Sequence, residues 1–395
     1  MGPPTGVAKA GATDTGSEKA PRPGPEAAPQ SGQLTAGEHD DLLNPRLYQR
    51  YVENFLQGET LQGVPRVDTQ RVLSVTVRDS SGQPMPFVKV TLTCADGNRL
   101  SLTTLANGQV VFFPDLDRLG SAVTMTAQSG NDISPMRRIN VTDVRGAQDV
   151  AVELRGQRQE VRQFDLALVV DTTGSMGDEL EYLKSELRTI VGAISQRHPN
   201  LDIRIALIFY RDKGDDYTTR TFDFMTDPGK AQNLVAAQSA DGGGDTPEAM
   251  EVAMNKAMGL SWRPGAVKSL LLVADAPPHG EDVAATWNGA EVARAKRIQV
   301  VPIAASGVDD AAQYVMRAMA AATQSRYLFL TDDSGIGNSH AEPDVDCYLV
   351  TRLDALVRRV LDSQISGRRI EPEDREILRS VGTYDKGRCV LPQDL

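Results

Sequence analysis

Three short polar clusters in the second half of this 395-residue sequence carry the side chains best suited to chemistry. Asp171-Thr172-Thr173-Gly174-Ser175-Met176 directly follows the apolar run Leu166–Val170. Asp241–Glu248 is a glycine-rich loop in which Pro247 can open a helix. Asp275–His279 follows Leu270–Ala274. Hydroxyl and carboxylate oxygens converging on one point suit a hard cation such as Mg²⁺, Mn²⁺ or Ca²⁺. One such aspartate alone reads as a helix cap. Three clusters in order, each after an apolar run or before a helix start, are harder to assign to capping. Ser175, Asp275 and His279 raise the question of a hydrolase triad. However, Thr173-Gly-Ser-Met-Gly177 is not a nucleophile elbow, and His279 lies close behind Asp275 on a loop. Gly242–Gly244 lacks the Gly-Lys-Ser/Thr of a phosphate loop. The expectation is therefore a binding site and no enzyme.

The elements that must position these clusters alternate between strand and helix. Apolar runs at Leu166–Val170, Ile203–Phe209, Leu270–Ala274, Val300–Ala304 and Tyr327–Leu330 read as strands buried on both faces. Between the first two, Leu180, Leu183, Leu187, Ile190, Val191 and Ile194 recur at helical steps. The pattern predicts an α/β fold with a doubly wound, mostly parallel sheet, in which ligands bind at the carboxyl ends of strands.

These residues together resemble the von Willebrand factor A domain with a complete metal-ion-dependent adhesion site. The family's Asp-x-Ser/Thr-x-Ser motif matches Asp171, Thr173 and Ser175, its threonine matches Thr246 and its distal aspartate matches Asp275. The resemblance runs from about Phe164 to Leu361, and Thr173 stands where serine is commoner. It implies Mg²⁺, or Mn²⁺ or Ca²⁺, held by hydroxyls directly and by one or both aspartates through water. Neutral ligands would leave the cation able to accept an Asp or Glu from a partner protein. The surrounding pattern, Arg211-Asp212, Gly242–Glu248 and Leu330–Gly335, is most similar to bacterial members of the family. Asp212, Asp245 and His279 are expected at a partner-binding rim, with Asp215 and Asp216 in the same acidic loop. Asp332–Asn338 reads as a solvated acidic loop, with a second cation site as the alternative.

The first half is organised differently. Residues 1–40 read as a flexible tail, and about half of 1–33 is Pro, Gly and Ala. Residues 41–69 read as a short amphipathic helix, docked on its own protein, and a linker. Residues 70–155 show period-two alternation punctuated by Asp96-Gly97 and Asn107-Gly108, which predicts an antiparallel β-sandwich with type I′ hairpins. The stretch Asp79-x-x-Gly82-x-Pro-x-Pro86 resembles carboxypeptidase-regulatory-like or bacterial Ig-like modules, and a spacer is expected. A linker at Gly156–Glu160 precedes the α/β domain, placed at 164–363. Residues 364–395 read as a tail with one short helix over Asp374–Val381.

Net charge -11 and pI about 5.0 argue against a nucleic-acid partner. No apolar run approaches the roughly 18 residues of a membrane span, and no signal peptide is visible in the sequence as written. Cys94, Cys347 and Cys389 read as unpaired thiols. The alternative, a Cys347–Cys389 bridge, requires an oxidising compartment. The leading functional expectation is an extracytoplasmic, metal-dependent adhesion or scaffold protein. The alternative is a cytoplasmic assembly factor engaging an AAA+ ATPase or chelatase-type complex.

Overall fold

Among the described residues, nine strands form the central sheet of the computed structural model. Their spatial order is Thr219–Met225, Asp202–Tyr210, Gln163–Asp171, Val267–Ala274, Ile298–Ala304, Tyr327–Thr331, Thr35–His39, Tyr348–Arg352 and Arg379–Val381. The structure describes residues 29–391 apart from 59–60, 62, 142–145, 245, 337–339 and 341–342. The strands from Asp202–Tyr210 across to Tyr327–Thr331 run parallel. Strands Thr219–Met225 and Thr35–His39 pair antiparallel with the two ends of that block.

The apolar runs are unbroken because both sheet faces are covered. In the Gln163–Asp171 strand, Leu166, Leu168 and Val170 enter one core while Ala167 and Val169 enter the other. Helices Leu180–Arg197, Pro228–Ala236 and Leu353–Ser366 cover the first face. Helices Met250–Met258, Val283–Ala295 and Asp310–Ala322 cover the second. From Asp171 the chain crosses to the neighbouring Asp202–Tyr210 strand on one side. It later returns to Val267–Ala274 on the other side. Loops leaving the two carboxyl ends part at this reversal and open a crevice, where a doubly wound sheet binds its ligand. Asp171 and Asp275 stand at its two sides.

Two expected tails are part of the fold. Thr35–His39 lies inside the stretch expected to be a tail, yet it is a buried strand between Tyr327–Thr331 and Tyr348–Arg352. Its sequence, Thr-Ala-Gly-Glu-His, has no apolar alternation to give it away. Gly37 is needed there because a Cβ would come within 2.5 Å of the Phe329 ring. Just before it, Glu186 collects Ser31 Oγ (2.6 Å) and the amides of Gly32 (2.8 Å) and Gln33 (3.2 Å). At the other end, the helix expected over Asp374–Val381 is a single 3₁₀ turn, Asp374–Glu376, followed by an edge strand, Arg379–Val381. Leu378 N donates to Val350 O, so sheet pairing wins over weak local helix propensity. Cys347 and Cys389 form a disulfide that ties this segment to the sheet, correcting the reading of unpaired thiols, while Cys94 stays free.

The amphipathic helix occupies Pro45–Gly58 and stacks Phe55 on Tyr314, 4.4 Å between centroids. Beside it Asp41 pairs with Arg317 at 2.6 Å, both buried. No described helix is long and apolar enough to cross a membrane.

Residues 71–154 form two small sheets around their own core, including Leu73, Val75, Val90 and Phe112. Arg71–Asp79 pairs parallel with Gly146–Leu154, so the sandwich is not wholly antiparallel. Gly97 and Gly108 have φ of 88° and 72°, whereas Asp96 and Asn107 keep negative φ. Both are therefore three-residue turns with glycine at the left-handed position, not type I′ turns; the first closes a hairpin, while the second joins Arg99–Thr103 to Gln109–Phe112 in the other sheet. The sandwich also packs on the α/β domain. Arg294 donates to Asp117 (2.8 Å) and to Val111 O (3.0 Å), and Arg297 lies 4.3 Å over the Phe87 ring.

Candidate metal centre

Asp171 ends its strand fully buried, and the chain turns at once. Its Oδ1 accepts from Thr173 N (2.9 Å) and from Thr173 Oγ1 (2.7 Å), an Asx-type turn that fixes the threonine hydroxyl against the carboxylate. Thr173 Oγ1 is in turn 3.2 Å from Ser175 Oγ. The three residues that the sequence singled out in this loop therefore share one polar cluster. Thr173 is buried and Ser175 is exposed.

The glycine-rich loop closes over this turn. Gly174 N donates to Gly242 O (3.1 Å), and Asp241 N donates to Thr172 O (3.2 Å). A side chain at position 174 would put Cβ 2.9 Å from that carbonyl. Gly242, at φ 76°, faces the Asp215 carboxylate so closely that a Cβ would lie 2.5 Å away. Asp215 Oδ2 also accepts from Gly243 N (2.9 Å) and Asp212 N (3.1 Å). Asp215 thus pins the loop. Ser175, Thr246, Glu248 and Asp275 line one open depression, walled on its far side by Ser306 and Gly307. All five expected ligands therefore face this crevice or stand beneath its floor, with Thr246 exposed and Asp275 buried.

The expected rim divides. Asp245 lies outside the described residues. Asp212 and His279 are mostly buried and meet each other, His279 Nε2 to Asp212 Oδ1 at 2.6 Å. They brace two loops beside the crevice. In the acidic loop after the Tyr327–Thr331 strand, Asp332 accepts from His340 (2.7 Å) and Asp333 pairs with Arg379 (2.7 Å). Both carboxylates there have side-chain partners.

Glu248 is the residue that motif matching passed over. It is 2% exposed, and its backbone N–H donates to Pro277 O (3.0 Å). The available signal was a carboxylate two residues after Thr246, at the mouth of a helix. Burial pushes its pKa to about 9, with Asp171, Asp212 and Asp275 adding to the rise. Burial and then Asp275 raise the Asp171 carboxyl above the ordinary carboxylate range. Burial, with Asp171 next, holds the Tyr210 phenol well above its usual value.

The donor set fits a divalent cation. Asp171 Oδ2 and Glu248 Oε2 are buried acceptors without a hydrogen-bond partner, which ordinarily costs about 1–3 kcal/mol each and more if charged. Among the described residues neither carboxylate is ion-paired with Lys or Arg. A hard cation would supply the missing positive charge and return these carboxyls to their ionised form. Among the described residues no three Asp, Glu, His or Cys side chains meet as a ready-made ligand cage. The set is mixed, carboxylate with hydroxyl.

Residues 165–340 match the family model of the von Willebrand factor type A domain. The chain is 34% identical over 120 residues to an alpha-protein kinase of Dictyostelium discoideum, covering 30% of this chain and 19% of the kinase. It is 38% identical over 118 residues to an ariadne-like RING finger protein of Acanthamoeba polyphaga mimivirus, covering 29% of this chain and 11% of the relative. The chain thus spans less than a fifth of either relative. Among solved structures it is similar to the conserved hypothetical protein BatB of Bacteroides thetaiotaomicron. That match is 14% identical, covers 51% of this chain and 98% of the other, and has a TM-score of 0.37. The family match and the doubly wound, mostly parallel sheet make residues 165–340 a von Willebrand factor type A domain.

Proposed function

We propose that this domain is a divalent-metal-dependent protein-binding module, serving adhesion or scaffolding, and that it grips an Asp or Glu of its partner through the cation. Asp171, Thr173, Ser175, Thr246 and Asp275 would hold Mg²⁺, or Mn²⁺ or Ca²⁺, and the bound ion would supply a Lewis-acidic position for an anionic oxygen. The observation that carries the reading is the pair of partnerless buried oxygens, Asp171 Oδ2 and Glu248 Oε2, beneath a depression lined by hydroxyls. Thr173 keeps its hydroxyl on Asp171, and Asp215 holds the Gly242–Gly244 loop in place; neither arrangement asks for catalysis. We propose no enzymatic activity.

A peptide library selected on the full chain in Mg²⁺ tests this. Recovered sequences should share an acidic residue and be released by chelator. Thr246→Ala should lose them while the fold survives, since it alters an exposed hydroxyl and leaves the buried strands untouched. Selected peptides without a common carboxylate, or indifferent to chelator, would refute the reading.

We also propose an extracytoplasmic location, supported by the Cys347–Cys389 bridge, because structural disulfides persist in oxidising compartments. Protein extracted from cells under thiol-blocking conditions should then show one reactive thiol, Cys94. Three reactive thiols would instead favour the cytoplasm.

A further inference from the structure

The edge of the sheet that carries the crevice holds an excess of exposed carboxylates. Asp216, Glu281 and Asp310 are exposed there, on loops or helix starts that follow the carboxyl ends of the parallel strands, and the exposed Asp241 and Asp332 are paired with Arg211 (3.9 Å) and His340 (2.7 Å). Most cations at this edge are engaged locally, and exposed Arg352 donates to Gly32 O. Lys213 binds Asp282 and Glu251, and Arg379 binds Asp333. Arg211 is buried, donating to Thr172 O and Ser239 O, and Arg220 lies 3.8 Å over the Tyr217 ring. Among the described residues no Lys or Arg is ion-paired with Asp216, Glu281 or Asp310. At the amino ends of the same strands the exposed charges are balanced, with Arg162 paired to Glu160 and Arg263 to Asp165 and Asp202.

A ring of carboxylates around a site that accepts a carboxylate sets two requirements on the partner. The group that enters must be anionic, yet the surface around it must not be. At physiological ionic strength exposed charges act over about 8 Å, which reaches side chains flanking the inserted acid but little beyond. Like charges brought together across an interface oppose docking, and opposite charges steer it.

We infer that the partner presents its metal-seeking Asp or Glu from within a Lys- or Arg-rich surface. The inference rests on the metal-dependent reading above and adds the chemistry surrounding the captured acid. The metal selects the carboxylate, and the acidic rim selects its neighbours.

The test uses the full chain in Mg²⁺ with bead-displayed synthetic peptides. The four peptides are a central Glu flanked by Lys, by Ser or by Glu, and a central Gln flanked by Lys. At low salt the Lys-flanked Glu peptide should be captured roughly tenfold better than the Glu-flanked one. That ratio should collapse near 1 M salt, where the screening length is about 3 Å. Asp216→Lys combined with Glu281→Lys and Asp310→Lys should erase the preference, because none of the three is a proposed ligand. Equal, chelator-sensitive capture of the Lys- and Glu-flanked Glu peptides would overturn the inference and leave the metal reading standing. Equal capture of Lys-flanked Glu and Lys-flanked Gln, unaffected by chelator, would overturn both, as would no capture of any peptide.

Discussion

Thr173 satisfies one oxygen of Asp171 and leaves the other without a partner. Both its amide and its hydroxyl donate to Oδ1, at 2.9 and 2.7 Å, while Oδ2 is buried with no hydrogen bond. The hydroxyl that stabilises this turn is also one of the proposed ligands. Thr173→Val keeps the shape and removes that oxygen, so it should abolish any rise in melting temperature on adding Mg²⁺. Thr173→Ser should retain the rise. Paired melting curves with and without metal decide the matter, and an undiminished rise in the valine variant contradicts the ligand assignment.

The glycine loop is expected to be as sensitive as the ligands. A Cβ on Gly174 would sit 2.9 Å from Gly242 O, and one on Gly242 would sit 2.5 Å from the Asp215 carboxylate. Gly242→Ala also places a side chain at φ 76°, a conformation L-residues avoid. Both alanine variants should weaken Mn²⁺ binding at least tenfold with the central strands intact. Metal titration together with far-ultraviolet circular dichroism checks this, and unchanged affinity would show that the loop does not shape the site.

How much of this was legible beforehand depended on where the information lay. The parallel strands were readable because burial on both faces demands continuous apolar runs, as in Leu166–Val170. That Asp171, Thr173, Ser175, Thr246 and Asp275 would converge was readable because strand ends and glycine loops place short-range motifs. Thr35–His39 was not, since its pairing depends on Phe329 and Thr351, some three hundred residues away, and on a glycine too small to show a pattern. Glu248 was missed for a related reason. Its importance comes from burial beside carboxylates on other loops, which no local spacing reveals. The bond between Asp212 and His279 was not legible either, being likewise non-local.

The N-terminal segment should contribute strongly to stability. Asp41 and Arg317 form a fully buried pair, and the Arg317 guanidinium also lies 3.8 Å over the Tyr51 ring. Asp41→Ala leaves the guanidinium buried without its counter-charge and should cost about 3–5 kcal/mol in urea unfolding. A loss below about 1 kcal/mol would mean that this segment does not dock as described.

The disulfide should matter in the same way at the other end of the chain. It closes a loop across a sequence separation of 42, for which chain entropy gives about 4 kcal/mol. Cys347→Ser should lower stability by about 2–5 kcal/mol and expose the segment after Gly367 to protease. The metal response should persist, because Cys347 and Cys389 lie outside the crevice lining. Loss of the metal response in this variant would link the two ends of the domain in a way the packing does not suggest.

The most direct measurement is calorimetric titration of the metal-free full chain with Mn²⁺ or Mg²⁺, alongside Asp171→Asn. The amide keeps the size of the side chain and removes the charge at the base of the crevice. The wild-type chain should bind about one cation, as expected for a single octahedral oxygen site. At a hundredfold excess over the dissociation constant, binding should add about 2.7 kcal/mol to stability. Asp171→Asn should remain folded and show neither the binding heat nor the stabilisation. No binding by the wild-type protein, or equal binding by Asp171→Asn, would contradict the proposal that this crevice is a metal-dependent adhesion site.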